Sequence, residues 1–160
     1  MKLYIAGPYY SKAEKKFNLE LAKKLAVLGY EVFLPQRDGV TKGAQCLEDA
    51  DDQAKRIEMF DLNTANVLAA DVFVYILDGR VPDEGGAVEL GMAFAQKQLK
   101  KNQTLLVGYR TDNRVVFLGS KLNPMLRGAL DFITGHEKEL IDYLKSYNFS
   151  LSKKRVTNNE

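Results

Sequence analysis

Short apolar runs alternate with longer stretches of helical period along most of this chain. Leu3 to Ala6 is the first apolar run, closed by Gly7-Pro8. Lys12 to Leu28 follows, with Phe17, Leu21, Leu25 and Leu28 at helical spacing and Gly29 as a stop. Tyr30 to Leu34 reads as strand two, closed by Pro35, and Gln36 to Gly43 as a polar loop. Glu48 to Leu68 is predicted helical, with Ile57, Phe60, Ala65 and Leu68 on or near one face. Val72 to Leu77 is apolar at successive positions, the pattern of a strand covered on both faces. Gly86 to Gln98 is the next predicted helix, Thr104 to Val107 strand four, and Glu137 to Tyr147 a final amphipathic helix. Residues 108 to 131 lack a clear period, and a short strand is expected at Val115 to Leu118. Ser150 to Glu160 is polar and is expected to fray.

Strands alternating with helices imply an α/β fold with right-handed crossovers. The expectation is a single domain over residues 1–149 with a polar tail at 150–160. Its architecture is three-layered and flavodoxin-like or Rossmann-like, with a mainly parallel five-stranded sheet. Such sheets bind ligands beyond the carboxyl ends of the strands, where the strand order reverses. In the flavodoxin-like order that place lies between strands one and three. The loops there are Gly7 to Ser11 and Asp78 to Gly86, rich in tyrosine and carboxylate, with Arg80 the nearest basic residue. That lining argues against a polyphosphate, which calls for glycines plus Lys or Arg. It suits a neutral, aromatic, hydrogen-bonding ligand such as a nucleoside.

Composition narrows the classes. The net charge of the 160 residues is only +2, too weak to argue for a nucleic acid polymer or a membrane surface as partner. No apolar run is long enough to span a bilayer. The chain enters a strand-like segment at once, so no signal peptide is expected, and the single Cys46 suits a cytoplasmic location. One Cys and one His, His136, argue against a zinc site, and no metal is expected. There is neither a G-x-G-x-x-G nor a P-loop, because Gly119-Ser120-Lys121 lacks the upstream glycine.

The densest chemistry lies in Pro82-Asp83-Glu84-Gly85-Gly86-Ala87-Val88-Glu89-Leu90-Gly91. Read as a glycine-rich turn into a helix at Gly86, it puts Glu89 in the first helical turn. There, free N–H groups and the helix dipole favour an ionised carboxylate. A carboxylate so placed is able to attack an electrophilic carbon. Plainer roles stand beside this one. Asp83 serves a turn equally well, Gly85 and Gly86 a tight backbone, Tyr4 the core, and Asn123 before Pro124 a turn.

The chain resembles the nucleoside 2-deoxyribosyltransferase family in three stretches: Leu3 to Pro8, Asp83 to Gly91, and Leu122-Asn123-Pro124-Met125-Leu126. The resemblance implies that Glu89 is the nucleophile. It would attack C1′ of a 2′-deoxynucleoside, release the base, hold the sugar as an ester and pass it to a second base with retention. Asp83 would bond to the base and help protonate it, and Tyr4 would orient Glu89. Gly7, Tyr9, Tyr10, Asn63, Gly86, Asn123 and Met125 complete the expected substrate contacts, Tyr9 and Tyr10 by stacking on a base. Asn123 corresponds to an asparagine supplied by a neighbouring subunit, which implies a homo-oligomer, dimer or hexamer, with shared sites. Asn63 stands where the family often has aspartate, which leaves base preference open. No cofactor is implied, and the partners are deoxynucleosides and free nucleobases. Two displacements on paired carboxylates are retaining-glycosidase chemistry. The rival readings are an N-glycoside hydrolase, on deoxynucleosides or their 5′-monophosphates, and a non-catalytic nucleotide-sensing module on the same fold. A monophosphate site needs serines and an arginine, for which Ser11 and Arg80 are the candidates.

Overall fold

The structure, a computed structural model, describes residues 1–40, 53–100, 103–112 and 122–157, the stretch 151–157 by its backbone. Cys46, the expected strand at Val115 to Leu118 and Gly119-Ser120-Lys121 lie outside the described residues. In chain order the elements are β1 (Lys2–Ala6), α1 (Lys12–Val27), β2 (Glu31–Phe33), α2 (Pro35–Asp38), α3 (Gln53–Ala69), β3 (Val72–Ile76), α4 (Glu84–Lys100), β4 (Leu105–Tyr109), α5 (Pro124–Ala129), β5 (Phe132–Thr134) and α6 (Glu137–Thr157). The five strands form one parallel sheet in the order β2-β1-β3-β4-β5. The chain therefore winds outward in both directions from the β1–β3 pair, and the switch point lies where the two expected loops leave the sheet.

Alternation along the strands divides the core in two. Leu3, Ile5, Val72, Val74, Leu105 and Val107 face α1 and α6, meeting Leu21, Leu25, Leu140 and Leu144. Tyr4, Ala6, Phe73, Tyr75 and Leu106 face the other way, onto Val67 of α3 and Leu90 and Ala93 of α4. Every residue of β3 and β4 is buried, as their unbroken apolar runs require. The second face carries an aromatic row. Register places Tyr4 beside Phe33 on one side and Phe73 on the other, with ring centroids 5.5 and 5.6 Å apart. This row fixes the Tyr4 ring within the core.

Helix ends follow their capping residues. Ser11 and Glu14 form a reciprocal capping box on α1, at 3.1 and 2.7 Å. Gly29 ends that region with φ of 88°, a left-handed conformation natural to glycine.

Several boundaries differ from the sequence reading. The loop expected from Gln36 opens with a helical turn, α2, started by Pro35 at its first position. Within the stretch 108 to 131, β4 continues to Tyr109 and α5 begins at Pro124; β5 follows at once. β5 is only three residues long, too short to display a period. It is held by pairing with β4 and by Phe132 stacking on Tyr143 at 4.1 Å. The final helix extends past Tyr147 to Thr157, a stretch that holds no glycine or proline to interrupt it. Among the described residues no helix is long and apolar enough to cross a membrane.

Candidate active site

β1 and β3 carry the site on their second face and at their carboxyl ends. Gly7 turns the chain out of β1 with φ of 138°, and a Cβ there would sit 2.7 Å from the Cβ of Ile76. Only glycine lets the two strand ends approach so closely. After β3, Asp78 accepts the N–H groups of Thr111 at 2.6 Å and Asp112 at 2.9 Å, together with the Thr111 hydroxyl. Asp78 thus ties the loop after β4 to the loop after β3.

α4 starts two residues earlier than expected, at Glu84, because Asp83 caps it. The Asp83 Oδ2 accepts the Gly86 N–H at 2.7 Å, and its carbonyl accepts the Ala87 N–H at 3.0 Å. The Tyr75 hydroxyl also donates to the Asp83 carbonyl. Gly86 is buried against Tyr75, where an added Cβ would lie 2.5 Å from the ring. Gly86 therefore serves the close approach of α4 to β3. The capping of α4 by Asp83 moves Glu89 into the second turn, a correction with a chemical consequence. The helix N-terminus no longer governs its carboxylate.

Burial does so instead. The Tyr4 hydroxyl, rising from the aromatic row, donates to Glu89 Oε1 at 2.7 Å. Glu89 is pushed up to about 7, first by burial; the Tyr4 hydrogen bond opposes this, and the negative charge of Asp83 adds to it. Tyr4 itself is raised far above the ordinary tyrosine range, first by burial and then by the Glu89 charge, so it remains a proton-bearing donor. At the rim, the Tyr10 hydroxyl donates to Asp83 Oδ1 at 2.7 Å, and Tyr9 stacks on Tyr10 with centroids 5.9 Å apart.

The structure therefore gathers Glu89, Tyr4, Asp83, Gly86, Tyr9 and Tyr10 around the switch point, with Gly7 at its floor. The Tyr10–Asp83 contact was not foreseen by sequence reasoning; only their occurrence in the two switch-point loops hinted at it. Asn63 lies on α3, which packs along α4 with the Thr64 hydroxyl 3.9 Å from the Met92 sulfur. Its Oδ1 is buried and has no hydrogen-bond partner among the described residues, a condition native proteins rarely leave unanswered.

Asn123 and Met125 are placed elsewhere. They edge an apolar groove of about 640 Å³ between α4 and α5, with Val81, Pro82, Leu90 and Phe94. Neither bonds to Glu89 or Tyr4 within the chain. The Asn123 Oδ1 instead accepts the Met125 N–H at 2.9 Å and caps α5. Ser11 is likewise occupied at the α1 cap, and Arg80 is exposed. Among the described residues, no group of three His, Cys, Asp or Glu side chains is placed to hold a metal ion.

Residues 3–147 match the family model described as nucleoside 2-deoxyribosyltransferase. A conserved protein from Enterococcus faecalis V583 has a similar crystal structure, with a TM-score of 0.70 and 26% identity over 92% of this chain and 98% of that one. The 2-deoxyribosyltransferase from the psychrotolerant bacterium Bacillus psychrosaccharolyticus shares the fold, with a TM-score of 0.70 and 19% identity over 89% of this chain and 92% of that one. No curated protein matched.

Proposed function

Because this chain belongs to the nucleoside 2-deoxyribosyltransferase family, we propose that it exchanges the bases of 2′-deoxynucleosides through a deoxyribosyl ester on Glu89. The observation that carries this reading is the Tyr4–Glu89 pair: a half-buried carboxylate at the sheet's switch point, aimed by a core-anchored hydroxyl at 2.7 Å. Glu89 attacks C1′ from one face, the C1′–N bond breaks, and the base leaves with a proton passed to it from Asp83, which the incoming base later returns. A second base then attacks the ester carbon and restores the carboxylate, so two inversions give retention. The absence of a 2′-hydroxyl eases the oxocarbenium-like transition state. Tyr4 acts as a positioning residue, because its bond goes to Glu89. Asp83 and Tyr10 stand at the base side.

Incubation with deoxycytidine and free adenine tests the reaction. Chromatography is expected to show deoxyadenosine growing as deoxycytidine falls. Free cytosine and deoxyribose alone would replace exchange by hydrolysis.

Asn123 and Met125, on the groove between α4 and α5 and without a bond to their own Glu89 or Tyr4, fit a site completed by a second copy in a homo-oligomer. Mixing inactive Glu89→Gln protein with weakened Asn123→Ala protein, after dissociation and reassociation, is then expected to restore activity. Mixtures that remain the plain average of their components would remove the shared-site arrangement.

A further inference from the structure

The loop from Gly7 to Ser11, between β1 and α1, carries Tyr9 and Tyr10 to the rim of the site. Pro8 has no N–H to give, and Gly7 before it turns with φ of 138°. At the front the loop is tied to Asp83 by the Tyr10 hydroxyl at 2.7 Å. At the back it is tied by a side chain of α1. Asn18 is 2% exposed, and its Nδ2 donates to the Pro8 carbonyl at 2.9 Å. The same Nδ2 donates to Gln36 Oε1 at 3.1 Å, while Gln36 Nε2 donates to the Lys15 carbonyl at 2.8 Å. Both N–H groups of the Asn18 amide are thus used, and Gln36 fixes the plane in which they lie. The Asn18 Oδ1, by contrast, is buried without a hydrogen-bond partner among the described residues. An apolar side chain in this place would avoid that cost, so packing alone does not account for an amide. Its bond to the loop does.

We propose that Asn18, oriented by Gln36, is a positioning residue that fixes the Pro8–Tyr10 segment as a wall of the nucleoside site. The proposal rests on the nucleoside reading above. The Asn18 bonds go to the loop and to Gln36, not to Glu89 or Asp83. Without Asn18, Asp83 keeps its bond from the Gly86 N–H, and the Tyr4–Glu89 pair still rests on β1 and α4. Loss of the amide therefore acts on substrate binding more than on the transfer of the sugar.

Asn18→Ala and Gln36→Ala are compared with the wild-type protein by steady-state base exchange and by hydrogen–deuterium exchange resolved by peptide. Asn18→Ala is expected to raise the deoxynucleoside KM about tenfold, the scale of one lost hydrogen bond, with kcat changed by no more than about threefold. Gln36→Ala leaves the Pro8 bond but frees the amide to turn. It is expected to raise KM in the same direction by a smaller factor, and it decides the matter should Asn18→Ala fail to fold. In both variants amide exchange is expected to quicken in the peptide holding Tyr9 and Tyr10 and to stay unchanged in α6. A lower melting temperature with KM unaltered, or unaltered exchange in the loop, would overturn the proposal. A purely structural asparagine costs stability without changing the affinity of the folded site. A wild-type protein that exchanges no bases, with the loop still loosened by Asn18→Ala, supports the positioning of the loop and rejects the transferase reading alone.

Discussion

Glu89→Gln is expected to lower both base exchange and nucleoside hydrolysis by at least about 10³-fold while leaving the fold intact, since the amide keeps an oxygen for the Tyr4 hydroxyl and cannot form the ester. The same substitution has a second, opposite consequence. Glu89 ionises at about 7 in the folded protein, against 4.5 for a free glutamate. Between these values the folded state binds the extra proton, so this group's contribution to stability is full below about 4.5 and is lost as pH rises through about 7. A glutamine carries no such penalty. Thermal melts at pH 8 are therefore expected to favour the variant by at least about 1 kcal/mol, roughly 2–4 °C for a chain of this size. At pH 5 the two proteins melt nearly together. A variant that is inactive and also unstable at pH 8 would mean that Glu89 supports the fold rather than the reaction.

Tyr4→Phe isolates the positioning role. The ring still fills the row between Phe33 and Phe73, so melting changes little. Loss of a hydrogen bond to a carboxylate is expected to cost roughly 10- to 100-fold in kcat/KM at pH 7. The Tyr4 bond lowers the Glu89 ionisation against the pull of burial, so its removal moves that ionisation upward from about 7. The acid limb of the pH–rate profile then shifts to higher pH, and the defect shrinks toward pH 9. A uniform loss at every pH would show that Tyr4 does not tune Glu89.

These effects show how far the sequence carries the account. Two-faced burial of β3 was legible because the strand is apolar at successive positions, and strand–helix alternation then implied the parallel sheet. β5 and α5 were not legible, since their three and six residues depend on partners distant in the chain. The Tyr4–Glu89 bond spans 85 positions, and no local period encodes such a contact. It was accessible only through the family resemblance. The start of α4 was misplaced for a physical reason: Pro82-Asp83 reads as a turn, yet Asp83 caps the helix and shifts Glu89 by a turn's fraction. That small displacement replaces the helix dipole with burial as the force setting the acidity of Glu89. Asn123 caps α5 beside the groove between α4 and α5, and the role expected for it was that of a residue supplied to a neighbouring subunit.

The most direct test of Glu89 as the sugar carrier is peptide mapping by mass spectrometry after reaction with a slow 2′-fluorinated deoxynucleoside, whose fluorine disfavours the oxocarbenium-like transition state and lengthens the life of the ester. The account predicts one fluorodeoxyribosyl group on the peptide holding Glu89, removed when free adenine is added. Turnover with no adduct, or an adduct on any other residue, would contradict it.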